Sequence, residues 1–227
     1  MGQRTQGDEM FEAYLVEHGY VVPEHEPDLG IGVRPEYLVE RDGEHCLTEV
    51  KEFDPATAPM RDTSIKASWS QEETLKPIRN QVHHAARKLR KATKLGYPLV
   101  IVLVDAQQAM PGFLGSTDIE AALRGDLSVR LEVLRSGRAA GEPMFTTGRN
   151  GELRNDHPYI SAVVVIHERS VFEHFAHAFV TNSPEAMPLS EVFFSGPRDS
   201  TFLYSANDDR YHRVERAETA PDSPSAL

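Results

Sequence analysis

Two glutamates, Glu36 and Glu49, lie at equal distances along the chain on either side of the dipeptide Asp42-Gly43. Asp-Gly between two runs of strand-like residues predicts a two-residue hairpin turn, because both turn positions require positive φ. In that register Glu36 falls opposite Glu49. Directly opposed Cβ atoms are about 5 Å apart, so the two carboxylates are expected side by side.

A divalent cation would account for this pairing of like charges, which is otherwise destabilising. Side chains alternate along a strand, so Lys51 falls on the same face as Glu49. Carboxylate oxygens are ligands that suit Mg²⁺. The two glutamates are therefore the candidate metal ligands, and the Lys51 ammonium is expected beside them.

The alternative is a charged, solvated hairpin face without a site. Against it, the apolar residues Leu47 and Phe53 share the predicted face of Glu49 and Lys51, whereas a simple solvent face would be polar throughout.

Other candidate ligands have weaker support. Asp28, in a literal Pro-Asp pair, lies before a glycine turn and cannot be registered against Glu49. His174 and His177, three apart on a predicted helix, could bind a metal with His167. His83 and His84 are interpreted as parts of a basic helix rather than as ligands. The chain contains no motif of a serine hydrolase, a P-loop or a dinucleotide-binding fold.

The net charge of -11 argues against nonspecific coating of nucleic acid. Residues 61–95, however, hold nine Lys and Arg against three Asp and Glu. A long helix is predicted over residues 76–95, entered through Pro77, and one arc of it is basic. We expect this arc to bind the nucleic-acid backbone through Lys76, Arg79, Arg87, Arg90 and Lys94.

The 227 residues suggest one domain with enough length for a core. The longest apolar run, residues 98–104, is too short to span a bilayer, and residues 1–11 lack the apolar segment of a secretory signal. The single cysteine, Cys46, excludes an internal disulfide. We expect a cytoplasmic protein that does not contact membranes.

The pattern of the chain predicts a first helix over 8–18, a short β-leaning stretch over 20–28, the hairpin, a loop over 54–70, the basic helix and a buried strand over 98–104. The later elements are expected to be a helix over 117–124, strands over 127–134 and 160–167, a helix over 171–180, and short strands within 192–204. Residues 1–7 are predicted to be flexible and residues 215–227 to be a disordered tail, so that the domain covers 8–214.

Around the candidate site the sequence resembles the PD-(D/E)xK nuclease superfamily. Arg34-Pro35-Glu36 is followed across the hairpin by Glu49-Val50-Lys51, and the element order over about 8–105 is similar to the αβββαβ core of the restriction-endonuclease-like fold. The resemblance implies an α/β fold with a mixed central sheet flanked by helices, here elaborated over 106–214 by extra C-terminal strands.

The resemblance also implies roles. Glu36 and Glu49 match the two acidic metal ligands, Val50 would offer its backbone carbonyl to the metal, and Lys51 matches the lysine that positions the attacking water. Glu12 and Gln81 resemble accessory residues. The expected activity is Mg²⁺- or Mn²⁺-dependent hydrolysis of phosphodiester bonds in DNA or RNA. A nuclease fold that has lost catalysis and serves as a nucleic-acid-binding or interaction module is the alternative, as is a structural domain with no site, and a homodimer is left open.

Overall fold

The computed structural model describes residues 4–53, 71–107, 114–125, 127–130, 144–147, 151–153, 156–170 and 173–215. The loop predicted over 54–70, most of the glycine-rich stretch 137–151 and the tail after residue 215 lie outside these ranges. In the described part of the chain, no helix is both long and apolar enough to cross a membrane.

Helices and strands alternate along the chain in a mixed α/β order. The described elements are α1 (Gln6–Glu17), β1 (Tyr37–Arg41), β2 (Glu44–Glu52), α2 (Gln71–Leu89), a 3-10 helix (Arg90–Leu95), β3 (Leu99–Val104), α3 (Ser116–Arg124), β4 (Leu127–Arg130), β5 (Met144–Thr147), β6 (Ala162–Ser170), β7 (Glu173–Val180), β8 (Ser200–Ser205) and β9 (Arg210–Arg213).

Seven strands form one mixed sheet in the order β1-β2-β3-β6-β7-β8-β9, and β4 pairs with β5 separately. The pairs β2-β3, β3-β6 and β7-β8 are parallel, and the other pairs in the large sheet are antiparallel. Strand β3 is buried along its whole length, as its uninterrupted apolar sequence predicts.

Helices cover both faces of the sheet. On one face α2 and α3 pack through residues such as Ile78 and Ile119 against Leu47, Ile101 and Val165. On the other face α1 packs against the alternate strand residues, which include Val50 and Val102. Because Glu49 and Lys51 alternate with Val50, they belong to the α2 face.

The first helix begins two residues earlier than predicted, because Thr5 caps it. The Thr5 hydroxyl accepts a hydrogen bond from the Asp8 amide, and the Asp8 carboxylate accepts one from the Thr5 amide. Gly19 follows the helix with a φ of 74°, which agrees with its predicted role as a helix terminator.

The hairpin register is confirmed. Arg41 pairs with Glu44 and Leu38 with Leu47, while Asp42 and Gly43 have φ values of 52° and 78°. Glu36 lies one residue before β1, so the regular ladder ends just short of it.

Two predicted helix boundaries were wrong. Helix α2 begins at Gln71 and contains Pro77 in its interior instead of starting there. Beyond Leu89 the chain tightens into the 3-10 helix, which ends at Gly96 with a φ of 70°. Arg90 and Lys94 therefore do not continue the α-helical arc.

Two other element assignments were wrong. Residues 20–28 contain no strand, only an isolated bridge between His25 and Tyr37, so the predicted three-stranded meander is a hairpin. Residues 173–180, predicted to be helical, form β7. There Phe179 packs on the α2 face and Ala176 and Ala178 on the α1 face, which is the two-residue period of a strand.

Candidate functional site

Two carboxylates and two ammonium groups meet where the hairpin lies under α2. The Nζ atom of Lys51 is 2.7 Å from Glu49 Oε1 and 3.5 Å from Glu36 Oε1. The Nζ atom of Lys88, on α2, is 2.8 Å from Glu49 Oε1 and 3.6 Å from Glu36 Oε1. The structure thus brings together the three residues predicted from the hairpin and adds Lys88.

Glu36 is held in place by the neighbouring strand. Its Oε2 accepts a hydrogen bond from the backbone amide of Val50, which ties the end of the chain before β1 to the middle of β2. This contact keeps the Glu36 carboxylate beside Glu49, although Glu36 itself lies outside the regular ladder.

Glu49 is the most buried member of the cluster, with no solvent exposure. Both lysines approach its Oε1 atom, whereas its Oε2 atom has no hydrogen-bond partner among the described residues. A buried carboxylate oxygen without a partner is energetically costly, and a cation is the kind of group that would satisfy it. The donor set therefore fits a hard divalent cation such as Mg²⁺.

The surroundings of the cluster raise the pKa values of both Glu36 and Lys51. Burial and the charge of Glu49 raise the pKa of Glu36 to about 7, against the opposing effect of Lys51 and Lys88. For Lys51, burial works against the charged form, but Glu49 and Glu36 outweigh it and the pKa lies above its ordinary value. Lys51 is therefore a cation at neutral pH.

Sequence reasoning missed Lys88, although its position carried a signal. Lys88 lies three residues after Ala85 and four before Ala92, both completely buried. This spacing places a lysine on the flank of the apolar face of α2, where its ammonium can reach the sheet below. The basic arc predicted from the sequence did not include it.

The two accessory candidates do not join the cluster. Glu12 accepts a hydrogen bond from the Tyr37 hydroxyl at 3.0 Å and forms an ion pair with Arg4 at 3.2 Å. Because Tyr37 packs in the core on the α1 face, Glu12 lies across the sheet from Glu49, and its assignment to the site was wrong. Gln81 donates to the backbone carbonyl of Glu52 at 3.0 Å, so it anchors α2 to the end of β2.

The basic segment divides into inward and outward side chains. Arg79 is 7% exposed and donates to the Ala121 carbonyl at 3.4 Å, so the prediction that it contacts nucleic acid was wrong. At its position on α2, the Arg79 guanidinium contacts α3 and not solvent. The remaining predicted cations are exposed, namely Lys76, Arg87, Arg90 and Lys94.

The rival ligand sets are not assembled. Asp28 is an exposed residue that pairs with Arg34 at 3.5 Å. Because residues 173–180 form a strand, His174 and His177 point to opposite faces. His174 Nδ1 lies 3.1 Å from Glu17 Oε2 on α1, while the His177 ring is 4.6 Å from the ring of His167.

A cavity of about 680 Å³ lies elsewhere, beside the end of β7. It is lined by residues that include Ser161, Val180, Met187 and Leu203, and by none of the residues of the carboxylate cluster. The carboxylate cluster and this cavity are therefore separate features.

No family model matches this chain, and no curated protein or solved structure was found to be similar to it.

Proposed function

We propose that this protein is a magnesium-dependent nuclease that hydrolyses phosphodiester bonds in DNA or RNA. The observation that carries the proposal is the fully buried Glu49, whose Oε2 atom lacks a described partner while a second carboxylate, that of Glu36, is held beside it. The resemblance of Pro35-Glu36 and Glu49-Val50-Lys51 to the PD-(D/E)xK signature supports the same activity.

The metal ligands in this proposal are the carboxylates of Glu36 and Glu49 and the backbone carbonyl of Val50. A bound Mg²⁺ or Mn²⁺ ion would supply Lewis-acid stabilisation of the charge that develops on the phosphate. Burial, and after it the charge of Glu49, raises the pKa of Glu36. The repulsion between the two carboxylates favours cation binding by the pair.

Lys51 acts in this proposal as a fixed cation. Its ammonium is held by Glu49, and its raised pKa keeps it protonated at neutral pH. It therefore orients the attacking water through a hydrogen bond and offsets negative charge on the phosphate, and does not itself remove a proton. The phosphate backbone of the nucleic acid would bind to the exposed cations, namely Lys76, Arg87, Arg90 and Lys94.

A cleavage assay on single-stranded DNA, duplex DNA and RNA, with Mg²⁺, Mn²⁺ or chelator, tests this function. Glu49→Gln and Lys51→Ala should each lower the rate by at least about 100-fold, with the circular dichroism spectrum unchanged. Glu44→Gln is the matched control, because Glu44 is an exposed glutamate on the same strand. Cleavage by both site variants at the wild-type rate would assign the activity to another site.

The second candidate function is a nuclease fold without catalysis that binds nucleic acid. One observation favours it: both lysines pair with Glu49 Oε1, so two carboxylates are balanced by two ammonium groups without a metal. Binding of nucleic acid without metal-dependent cleavage would support this function over the first. Location in the cytoplasm and dimer formation stay predictions.

A further inference from the structure

A second cluster of ligating side chains lies where His83 of α2 approaches Glu152 and His157, which precede β6 in the chain. His83 Nδ1 is 3.2 Å from Glu152 Oε2 and 3.3 Å from His157 Nε2. His157 Nε2 is 4.0 Å from the same carboxylate oxygen. Three potential ligand atoms from three separate positions in the chain therefore face one another.

The spacing of these atoms suits a transition-metal ion. The nearest point equidistant from all three lies in their plane, about 2.1 Å from each, which is the usual length of a bond between Zn²⁺ and a histidine nitrogen. Two imidazoles and one carboxylate are a donor set that Zn²⁺ accepts, whereas Mg²⁺ prefers oxygen ligands alone.

A hydrogen-bond relay orients His157 as such a ligand. The Tyr159 hydroxyl donates to the Ala86 carbonyl at 3.1 Å. Its oxygen is therefore the acceptor for His157 Nδ1, 3.1 Å away, and the proton of the neutral ring lies on Nδ1. The lone pair on Nε2 is thus directed into the cluster, as in zinc sites whose histidines are fixed by an outer hydrogen bond.

We propose that His83, Glu152 and His157 bind a Zn²⁺ ion, with the fourth coordination position open to solvent. The side chain of His83 is 41% exposed and that of His157 is 8% exposed, so the cluster is closed on the protein side and accessible from outside. Three protein ligands with one free position are typical of sites at which zinc binds a water or a substrate group.

The ion would also join separate parts of the fold. Glu152 is anchored to α3 by the hydrogen bond from its amide to the Ala122 carbonyl at 3.2 Å, and His83 belongs to α2. Zinc binding would therefore cross-link α2, the segment beside α3 and the residues that lead into β6, and should stabilise the folded chain.

Titration of the full chain with Zn²⁺, after chelation and in excess Mg²⁺, tests the proposal against a chromophoric competitor. We expect one Zn²⁺ per chain, a higher unfolding temperature, and the visible absorption of four-coordinate Co²⁺ when that ion is used instead. His83→Ala and His157→Ala should each weaken Zn²⁺ binding by about 100-fold or more. Tyr159→Phe should weaken it by about 10-fold, through loss of the outer hydrogen bond.

Two controls make the result specific. His84→Ala removes a neighbouring exposed histidine of α2 that does not belong to the cluster, and Glu49→Gln disables the carboxylate pair, so both should bind Zn²⁺ as the wild type does. If a histidine variant unfolds, Glu152→Gln, which keeps the shape of the side chain, carries the test. The proposal would be overturned if the unaltered protein bound no Zn²⁺. It would also be overturned if Glu152→Gln and a folded histidine variant each bound Zn²⁺ with wild-type affinity.

Discussion

Four charged side chains determine the electrostatics of the candidate site around the buried Glu49. Its carboxylate, together with that of Glu36, is balanced by the ammonium groups of Lys51 and Lys88. Both lysines approach Oε1 of Glu49, so a divalent cation entering this group would bind Glu49 through the Oε2 atom that the lysines leave free. Removing one lysine should therefore strengthen metal binding, whereas a loss of structure would weaken it.

Lys88→Met should bind Mg²⁺ more tightly than the wild type, by about tenfold, because it removes a positive charge adjacent to the metal position while the methionine keeps most of the packing volume. The same variant should cleave nucleic acid more slowly, since the site then lacks a cation that offsets phosphate charge. Titration calorimetry with Mg²⁺ and the cleavage assay measure the two effects.

Lys91→Met is the control for this change, because Lys91 is exposed at the start of the 3-10 helix. It should leave the affinity for Mg²⁺ unaltered. If Lys88→Met and Lys91→Met bind Mg²⁺ equally, the metal does not bind at the carboxylate pair.

The sequence could predict only the part of the site that local geometry determines. The placement of Glu36 and Glu49 around Lys51 followed from one turn whose two residues require positive φ. Lys88 is distant in sequence and reaches Glu49 only because α2 crosses the hairpin, a tertiary arrangement that no local pattern contains. The cluster of His83, Glu152 and His157 was missed for the same reason.

The basic segment of α2 and the 3-10 helix combines a packing face with a charged face. Arg79 donates to the backbone next to α3, so it contributes to helix packing. Arg87 and Arg90 are exposed. Their charges add to the effect of burial in lowering the pKa of His157. Nucleic-acid affinity is therefore predicted to depend on the outward cations and not on the segment as a whole.

Replacing both Arg87 and Arg90 with glutamate should weaken binding to all nucleic-acid sequences alike, because phosphate contacts carry no base information. The slope of log affinity against log salt concentration should fall by about two or more, since each arginine that no longer neutralises a phosphate lowers it by about one. Fluorescence anisotropy at several salt concentrations measures both effects.

The comparison variant is Arg169→Glu, which changes an exposed cation of β6 that pairs with Glu173. It should bind nearly as the wild type does. An unchanged salt slope in the double variant would exclude this segment as the binding surface.

The pair β6-β7 shows why one element was assigned to the wrong class. Residues 171–180 contain Phe175, Ala176, Ala178 and Phe179, a set that fits a helical face as well as two strand faces when it is considered alone. Antiparallel pairing with β6 decides in favour of a strand, with His167 opposite Phe175. Strands with unambiguous apolar runs, such as β3, did not depend on such pairing for their prediction.

His167 should make folding stability depend on pH. Burial, with help from His177, lowers its pKa from 6.5 to about 4. Between these values the unfolded chain binds the proton and the folded chain does not, so stability is lost as the pH falls from 6.5 to 4, by up to about 3 kcal/mol. His167→Gln should flatten this slope in urea unfolding measured at several pH values, whereas replacing the exposed His84 with glutamine should not. Equal slopes in the two variants would contradict the assignment.

At the scale of the whole molecule, one sheet includes strands from both the predicted core over about 8–105 and the predicted elaboration over 106–214. Strand β3 pairs with β6 over five residue pairs, and Phe194 from the later part packs in the same core as Tyr14 of α1. The side chain of Asp199 is fully buried and accepts hydrogen bonds from the Tyr14 hydroxyl and the Ala176 amide, each at 2.7 Å. One carboxylate thus connects α1, β7 and the turn before β8.

Asp199→Ala should therefore destabilise the entire chain in a single unfolding transition. The substitution leaves the Tyr14 hydroxyl and the amides of Ala176 and Gly196 without their buried acceptor, which should cost about 3–5 kcal/mol. Tyr14→Phe removes one donor and leaves the two amide contacts in place, so it should cost about 1–2 kcal/mol.

Asp208→Ala, at an exposed position in the turn between β8 and β9, is the control and should change stability by less than about 1 kcal/mol. Urea unfolding followed by circular dichroism and by hydrogen exchange gives both the free energy and its cooperativity. Two separate transitions in the unaltered protein would show that the residues before and after 105 fold as independent units. An Asp199 variant as stable as the Asp208 variant would contradict the stabilising role predicted for Asp199.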